Sequence, residues 1–344
     1  MRPSGAGSLA MMLEVTWAHR AKHWSFRMEK QAERWPGPPG MIPVTSGRAD
    51  DAALFTRQYL DRIRVEMRVI GSVKPSLKTT LFGREFSSPI MMPAFSHLNK
   101  AVKDGPRPME EYARAAASLG TLNFAGMEPD EEFAAIAKAN PVTVRIIKPF
   151  ADHGLIRSQI EFARSCGAFA VGVDIDHIAG KDGGYDVVDS IPMGPVMEDD
   201  LRQYAAMAGI PFIAKGVLSV SDALKAADAG CAGIVVSHHH GRIPFGIAPA
   251  QVLPGIRKAL SDAGSDMEVL ADCSVDSGYD AYKLMALGAK AVCAGRSILR
   301  PLLKEGQGGV EAQIRKMNTQ LSELMLYTGI PDTSSFDPSV LHLC

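Results

Sequence analysis

Between residues 89 and 330, short runs of apolar and β-branched residues alternate eight times with Ala-rich segments of helical pattern. The apolar runs show little polar alternation, which is typical of parallel strands that are buried on both faces. Several helical segments stop at a Gly, as expected for a left-handed C-cap. Eight such units predict an α/β fold, the closed (β/α)8 TIM barrel. The predicted strands span residues 89–94, 121–126, 142–147, 169–175, 211–215, 233–237, 268–272 and 291–295, and the predicted helices span 107–119, 130–139, 153–166, 197–208, 219–229, 249–263, 277–287 and 309–326.

A doubly wound open sheet is the alternative to the barrel. Such a sheet usually has fewer strands and a glycine-rich turn after the first one. The residues that follow the first predicted strand, FSHLN at 95–99, contain no glycine, so the pattern favours the barrel. One connection, at residues 176–196, is long and rich in Gly, Asp and Pro. We expect this loop to rise from the carboxyl-terminal face, where barrels bind ligands.

The first 45 residues differ from the rest of the chain and predict an N-terminal extension of the barrel. They contain all three tryptophans (Trp17, Trp24 and Trp35), a basic cluster, and PGPPG at 36–40, which marks a linker. Such an arm would pack on the body or on a neighbouring subunit, and a flexible tail is the alternative that the residues leave open. The predicted division is an arm at 1–45, a lead-in at 46–88, a barrel at 89–330 and a C-terminal tail at 331–344.

The overall charge and composition exclude several classes of partner. Lys and Arg number 37 against 38 Asp and Glu, so the chain lacks the basic footprint of a nucleic-acid-binding protein. No apolar stretch approaches the roughly 20 residues of a membrane span. Glu14 interrupts the short apolar run near the start, so we expect no secretory signal. The five cysteines form no C-x-x-C pair, and we expect neither disulfides nor a metal site, in a protein of the cytoplasm.

Chemically capable residues follow the predicted strands at their carboxyl ends, where a barrel builds its active site. An imidazole can act as a general base near neutral pH, and an Arg can bind a carboxylate through parallel hydrogen bonds. A Lys at a strand end can hold a fixed cation against a developing anion. These residues are Lys148 after strand three, Asp174 with Asp176 and His177 after strand four, Lys215 after strand five, Ser237 to Arg242 after strand six, Asp272 after strand seven, and Gly295 with Arg296 after strand eight.

Several of these residues also have alternative interpretations. Three consecutive histidines, His238 to His240, could bind a metal, but neighbours on a strand point to opposite faces. Lys215 could form a Schiff base, and Asp272 could cap the next helix. Arg296 could lie on the surface, although a Gly-Arg pair that opens the last helix suits a phosphate.

Three segments resemble the FMN-dependent α-hydroxy-acid oxidases and dehydrogenases, the family of glycolate oxidase and lactate dehydrogenase. IAKGVLSVSDALKAADAGCAGIVVSHHHGR at 213–242 is similar to the family pattern LKG(I/V)…A…AGxxGIxVSNHGGR. VLADCSVDSGYDAYKLMALGAKAVCAGRSIL at 269–299 is similar to DGGVRxGxDVxKALALGAxxVxxGRP, and LFGREFSSPIMMPAF at 81–95 resembles the first strand and its lead-in. The resemblance covers about residues 55–330 and implies a TIM barrel that binds FMN.

The resemblance also implies roles for individual residues. His239 would take the substrate's proton, Arg242 would bind the substrate carboxylate, and Asp174 would pair with the histidine. Lys215 would lie against the N1–C2=O edge of the flavin, and Lys148 lies nearest to the strand-three position that touches substrate. The residues implied to contact the cofactor are Pro93, Ala94, Lys215, Ser237, Asp272, Ser274, Gly295 and Arg296.

The chain departs from the family pattern at several of these places. His238 and His240 replace the Asn and the first Gly of SNHGGR, and Cys273 and Ser274 replace the two glycines of DGG. Asp276 replaces the phosphate-binding Arg, so that FMN binding would depend on Arg296 and backbone N–H groups. The second carboxylate-binding Arg has no match beyond Lys181, and IPFG follows Arg242 at 243–246.

These observations predict an FMN-dependent oxidoreductase that acts on a small 2-hydroxy acid or a related carboxylated molecule. One alternative is a flavin enzyme with non-redox chemistry, such as the isomerisation carried out by type 2 isopentenyl diphosphate isomerases. Another is a barrel that has lost FMN and catalysis. The resemblance further implies a homo-oligomer, with a tetramer favoured.

Overall fold

A closed eight-stranded parallel barrel forms the body of the protein in this computed structural model, which confirms the predicted fold. The structure describes residues 50–101, 105–180 and 182–344, and the predicted arm at 1–45 and Lys181 lie outside them. All eight predicted strands are present, and they pair around the barrel in the order β4, β5, β6, β7, β10, β11, β12, β13. The strands are β1 (Ile63–Val65), β2 (Thr79–Leu81), β3 (Arg84–Phe86), β4 (Ile90–Phe95), β5 (Asn123–Ala125), β6 (Thr143–Ile147), β7 (Ala170–Asp174), β8 (Val187–Val188), β9 (Ile191–Pro192), β10 (Phe212–Val217), β11 (Gly233–Val236), β12 (Glu268–Ala271), β13 (Ala291–Cys293) and β14 (Leu341–Leu343).

Helices alternate with the barrel strands and enclose them, as the sequence pattern predicts. Gly120, Gly167, Gly209, Gly230 and Gly288 all have positive φ where the preceding helical segments end, so the Gly signals identified these ends. Among the helices of the described residues, none is both long and apolar enough to cross a membrane. The helices are α1 (Ala52–Arg62), α2 (Pro108–Leu119), α3 (Asp130–Ala139), α4 (His153–Ser165), α5 (Glu198–Ala208), α6 (Val220–Asp228), α7 (Pro249–Asp262), α8 (Gly278–Ala286) and α9 (Arg296–Thr328), with 3-10 turns at Leu98–Ala101 and Pro338–Val340.

The last helix is longer than the predicted segment 309–326. Helix α9 begins at Arg296 and continues through Pro301 to a kink at Gly306, where φ is 60° and ψ is −142°. The pattern of Pro301 and three nearby glycines is typical of a linker, which is why the first part was not predicted as helix. The kink lets both parts pack, because the Glu111 carboxylate of α2 lies against Gly306.

Two apolar layers hold the barrel together. Inside the barrel, side chains such as Phe124, Ile146 and Ile213 fill the space between the strands, and the β2–β3 hairpin contributes Leu81 and Phe86 to the same cluster. Outside, the strands pack against the ring of helices in a larger cluster. The interior is therefore a packed core, and the carboxyl-terminal mouth is left for the chemistry.

Segments before and after the barrel pack against each other, which the sequence did not indicate. Strand β1 pairs antiparallel with β14, and Ile63 lies opposite Leu343. The lead-in thus joins the residues that we predicted as a tail. The loop at 176–196 contains the β8–β9 hairpin and is anchored beside the end of β6, because the Gly194 N–H donates to the Pro149 carbonyl. The loop therefore lies on the carboxyl-terminal face, as predicted.

The contact between α8 and α9 yields a test of the packing. A Cβ added at Gly278 would lie 1.9 Å from the Met317 carbonyl oxygen and 2.6 Å from the Leu321 nitrogen. Because backbone cannot move aside cheaply, we expect Gly278→Ala to lower the free energy of unfolding by about 3 kcal/mol.

The matched control is Gly308→Ala, also in a helix, where an added Cβ meets nothing within 4 Å. We expect the free energy of unfolding of this variant to rise by about 0.5–1 kcal/mol, because alanine lowers the conformational entropy of the unfolded chain. Urea unfolding curves of the two variants and the wild type measure both effects. Equal stability of the two variants would contradict the close packing of α8 on α9.

Candidate active site

A buried carboxylate shared by two lysines lies at the centre of the mouth. Asp174 ends β7 and faces Lys215 of β10 in the parallel register. Its Oδ1 accepts a hydrogen bond from Lys215 Nζ at 2.7 Å, and its Oδ2 accepts one from Lys148 Nζ at 2.6 Å. All three side chains are buried. The structure thus brings together three residues that the sequence placed separately at strand ends.

The charges of this cluster are mutually stabilised. Burial alone would raise the pKa of Asp174, but the charges of Lys148 and Lys215 hold it well below its usual range. Burial alone would lower the pKa of Lys215, but Asp174, Asp176 and Asp272 raise it above its usual value. Lys215 is therefore a fixed cation at neutral pH, which disfavours the Schiff-base alternative, since that chemistry needs a neutral amine.

His239 faces a carboxylate other than the one that the resemblance implied. Its Nδ1 lies 3.1 Å from Asp176 Oδ1 and 4.0 Å from Asp174 Oδ1. Asp174 already accepts hydrogen bonds from two lysines, so Asp176 becomes the hydrogen-bond partner of the imidazole. The close approach of Asp176 requires Gly216, where φ is 92° and an added Cβ would lie 2.4 Å from Asp176 Cγ.

The neighbouring His238 has a structural role. The Gly241 N–H donates to its Nδ1 at 2.8 Å, so that nitrogen carries no proton. Its Nε2 lies 2.7 Å from Thr56 Oγ1. The Thr56 hydroxyl donates its proton to the Ala52 carbonyl, so His238 Nε2–H donates to the Thr56 oxygen. Burial lowers the pKa of His238, in agreement with a neutral ring. This histidine ties the loop after β11 to helix α1.

Arg242 and the long loop meet at one carboxylate. Asp186 Oδ2 lies 3.5 Å from Arg242 Nη1 and 2.7 Å from His177 Nε2. Burial, with the charges of Lys148 and Arg242, lowers the pKa of His177 to about 4, so this ring is neutral at pH 7. Asp186 therefore holds the loop against the guanidinium that the resemblance implies for substrate binding.

The loops after β11 and β12 adopt backbone conformations that favour glycine. His239, His240, Cys273 and Ser274 have φ of 48°, 61°, 71° and 58°. The last three occupy positions that are glycine in the family pattern, so the glycine-type backbone is kept although side chains are present. A positive φ in a residue other than glycine costs conformational free energy. It is found where the surroundings hold the backbone tightly, typically at functional sites.

The phosphate end of the predicted cofactor site lies at the start of α9. Gly295 precedes the helix, and no side-chain hydrogen bond caps it, which suits an anion at this helix start. Asp276 stands where the family pattern has an Arg, but it faces Arg57 of α1, with Oδ2 3.9 Å from Nη1. Arg57 also donates to the Ser274 carbonyl at 3.0 Å. A cation from the lead-in thus borders the same loop.

The cofactor residues implied by the resemblance lie around this mouth. An added Cβ at Gly295 would lie 3.4 Å from Pro93 Cγ, so the ends of β4 and β13 are in contact beside Ala94. Ser237 Oγ accepts the His239 N–H at 3.0 Å, and Asp272 Oδ1 accepts the Cys273 thiol at 2.9 Å. Asp176 Oδ2 and His177 Nδ1 are buried and have no hydrogen-bond partner among the described residues. The start of α9, which has no side-chain cap, fits a bound flavin phosphate.

The arrangement of Asp174, Asp176 and His239 does not favour a metal. Their donor atoms lie within 4.8 Å of one another. However, both oxygens of Asp174 accept hydrogen bonds from lysines, so a metal ion would meet two ammonium groups. His238 forms a hydrogen bond with Thr56, while His239 faces Asp176. The two imidazoles therefore do not face one common metal position.

Sequence reasoning missed the residues that come from distant segments. Thr56 and Arg57 lie on the lead-in helix, 182 and 217 residues from the loop residues that they contact, and no local pattern signals them. Asp186 lies inside a loop without regular periodicity. The sequence places Asp176 after strand four, but no local pattern pairs it with His239.

A closed barrel with an imidazole, a guanidinium and a buried ammonium at its mouth defines a TIM-barrel enzyme of the flavin-binding type. The sequence matches the FMN-dependent dehydrogenase family over residues 39–196 and 183–343. The chain therefore belongs to the FMN-dependent dehydrogenase family, and it is an oxidoreductase with FMN as its cofactor.

Individual relatives agree with this assignment. The chain is 27% identical to an L-lactate oxidase of Nostoc sp. over 342 residues, which cover 87% of this chain and 92% of the relative. It is 41% identical to an L-lactate dehydrogenase of Pseudomonas syringae over 132 residues, or 38% of this chain and 34% of the relative. The lactate oxidase structure from Pediococcus acidilactici shares the fold, with a TM-score of 0.78 at 24% identity, over 92% of this chain and 94% of that one.

The lysine-bound carboxylate yields a stability test. Asp174→Asn would leave two buried ammonium groups without their counter-ion, so we expect it to lower the free energy of unfolding by about 3–5 kcal/mol at pH 7. Asp228→Asn is the control, because Asp228 pairs with Arg202 on the surface, where ion pairs contribute little. Urea unfolding followed by circular dichroism measures both.

The same variant predicts a pH dependence. The folded-state pKa of Asp174 is depressed, so its contribution is present above the unfolded pKa of about 4 and is lost as the pH falls through the lower folded value. We therefore expect the difference in the free energy of unfolding between wild type and Asp174→Asn to become smaller below about pH 4. A gap that stays constant into strong acid would show that the carboxylate charge is not what stabilises the cluster.

Proposed function

We propose that this protein oxidises a small 2-hydroxy acid, or a related carboxylated molecule, with FMN as the electron acceptor. The observation that carries the proposal is the convergence of the His239 imidazole, the Arg242 guanidinium and the Lys215 ammonium on one mouth. The names of the relatives, L-lactate oxidase and 2-hydroxyacid oxidase, support this substrate class.

His239 would act as the general base. Burial alone would raise the pKa of Asp176, but its hydrogen bond with His239 and the charge of Lys215 hold it below its usual value, so Asp176 is ionised and accepts the Nδ1 proton. The lone pair then lies on Nε2, which can take a proton from the substrate. Asp176 would stabilise the imidazolium that forms, a role that the resemblance alone assigns to Asp174.

Arg242 would bind the substrate carboxylate. Its single contact among the described residues is the 3.5 Å approach to Asp186, which leaves other N–H groups of the guanidinium for a second carboxylate. Lys148 would contribute through Asp174, since its ammonium is already bound to that carboxylate.

The remaining residues would hold the cofactor. When bound, FMN supplies the chemistry of a two-electron acceptor. Lys215 would place a permanent positive charge beside the flavin ring, held in position by Asp174. Gly295, Arg296 and the first turn of α9 would hold the phosphate, while Pro93, Ala94, Ser237, Asp272 and Ser274 would line the ring and the ribityl chain.

A homotetramer and a cytoplasmic location stay predictions from the sequence. The test of the proposed reaction is the anaerobic loss of flavin absorbance on adding a panel of 2-hydroxy acids. Reduction by at least one of them is expected. A flavin that stays oxidised with every hydroxy acid would instead favour the non-redox alternative.

The proposed base is tested by substitution. We expect His239→Ala to slow flavin reduction about a hundred- to ten-thousand-fold, because the proton acceptor is lost. Asp176→Asn should also slow it, since the imidazolium loses its counter-ion. Stopped-flow reduction at saturating substrate measures both rates. Full-rate reduction in His239→Ala would exclude this histidine as the base.

The proposed carboxylate contact is tested in the same way. Arg242→Met should weaken substrate binding about ten- to a hundred-fold, which corresponds to the loss of charge-assisted hydrogen bonds of about 1.5–3 kcal/mol. The control is Arg257→Met, because Arg257 lines a groove beside the start of β12, at the opposite end of that strand from the mouth. Titration of the substrate dependence of flavin reduction measures the change. Unchanged binding in Arg242→Met would assign the carboxylate to another group.

A further inference from the structure

Exposed apolar side chains border the mouth on the segment that follows Arg242. Ile243, Phe245 and Ile247 are 50%, 70% and 44% exposed, although they lie within five residues of one another. Phe245 has φ of 57°, a strained value that is rare for a residue with a bulky side chain, and its ring is exposed to solvent. Contiguous exposed apolar groups of this kind mark an interaction surface.

The long loop carries two further exposed apolar side chains beside its contact with Arg242. Tyr185 and Val187 are 62% and 58% exposed, and they flank Asp186, whose carboxylate meets Arg242. We call the five residues Tyr185, Val187, Ile243, Phe245 and Ile247 the rim patch.

The described part of the chain begins at the rim patch. The Asp50 carbonyl accepts a hydrogen bond from the Phe245 N–H at 2.9 Å, and Asp51 caps helix α1 directly after it. Residues 1–49 are therefore joined to the body at this place. The 15 residues from Trp35 to Asp50 can span up to about 50 Å, so the arm can reach every part of the patch of its own chain.

The composition of residues 1–49 is complementary to this surface. The segment contains the tryptophans Trp17, Trp24 and Trp35, and MIPV at 41–44 lies close to the attachment point. It has seven Lys and Arg against three Glu, whereas the loop at 176–196 has four Asp and one Lys. An apolar, basic segment thus starts beside an apolar patch with an acidic border.

We propose that residues 1–49 dock onto the rim patch of the same chain. The inference does not depend on the substrate or on the assignment of the catalytic base. The docked arm buries apolar surface on both sides, and its basic residues face the aspartates of the loop.

Tryptophan fluorescence tests this proposal directly, because all three tryptophans of the chain lie in the arm. In the FMN-loaded full chain, we expect the double variant Ile243→Asn/Phe245→Asn to shift tryptophan emission to longer wavelength and to increase its quenching by acrylamide. Asn suits position 245, since it tolerates positive φ better than Phe. The single variants Phe245→Asn and Ile247→Asn should give smaller shifts of the same sign.

The matched control is Ile70→Asn, which also removes an exposed isoleucine. Ile70 lies between Arg68 and Ser72, which bond to the last turn of α9, away from the mouth. This variant should leave the emission unchanged. Circular dichroism and flavin content verify that each variant is folded and equally loaded.

Two results would overturn the proposal. Emission and quenching that are identical in wild type and all rim-patch variants would show that the arm does not dock there. A wild-type emission that shifts to longer wavelength on dilution, in step with dissociation measured by light scattering, would assign the patch to the arm of a second copy instead.

Discussion

One buried carboxylate between two ammonium groups sets the geometry of the mouth. Asp174 joins the ends of three neighbouring strands, β6, β7 and β10, through Lys148 and Lys215. Buried charges are tolerated only when they are paired and hydrogen-bonded, so the three side chains hold one another in place. Because both oxygens of Asp174 are used, the imidazole of His239 pairs with Asp176, and that contact in turn requires Gly216.

The loops after β11 and β12 keep a glycine-type backbone at positions where this chain has other side chains. His240, Cys273 and Ser274 retain left-handed conformations at positions that are glycine in the family pattern. Their cost is offset by the contacts around them, such as the Cys273 thiol bonded to Asp272. The loss of an arginine at Asp276 is accompanied by Arg57, which brings a guanidinium to the same loop from a different part of the chain.

The lead-in helix α1 contacts the loops after β11 and β12. Thr56 forms a hydrogen bond with His238, and Arg57 donates one to the Ser274 carbonyl, so one helix stabilises the loops after both β11 and β12. The same helix begins where the Asp50 carbonyl meets Phe245. Substitutions in this helix would therefore disturb the loops of two strands at once, although none of its residues is implied to touch the substrate.

The sequence by itself determined the eight strand–helix units, the glycines that end the helices, and the strand ends at which Lys148, Asp174, Lys215 and His239 lie. These features are local, because hydrophobic periodicity and Gly conformations depend on neighbouring residues. Tertiary structure alone decided which carboxylate serves His239, that Arg57 and Thr56 reach the mouth, and that β14 pairs with β1. Those contacts join residues far apart in the chain, and which donor meets which acceptor depends on distances that only the closed barrel fixes. Helix α9 shows the same limit, since packing against α2 and α8 keeps helical a segment whose Pro and Gly content is typical of a linker.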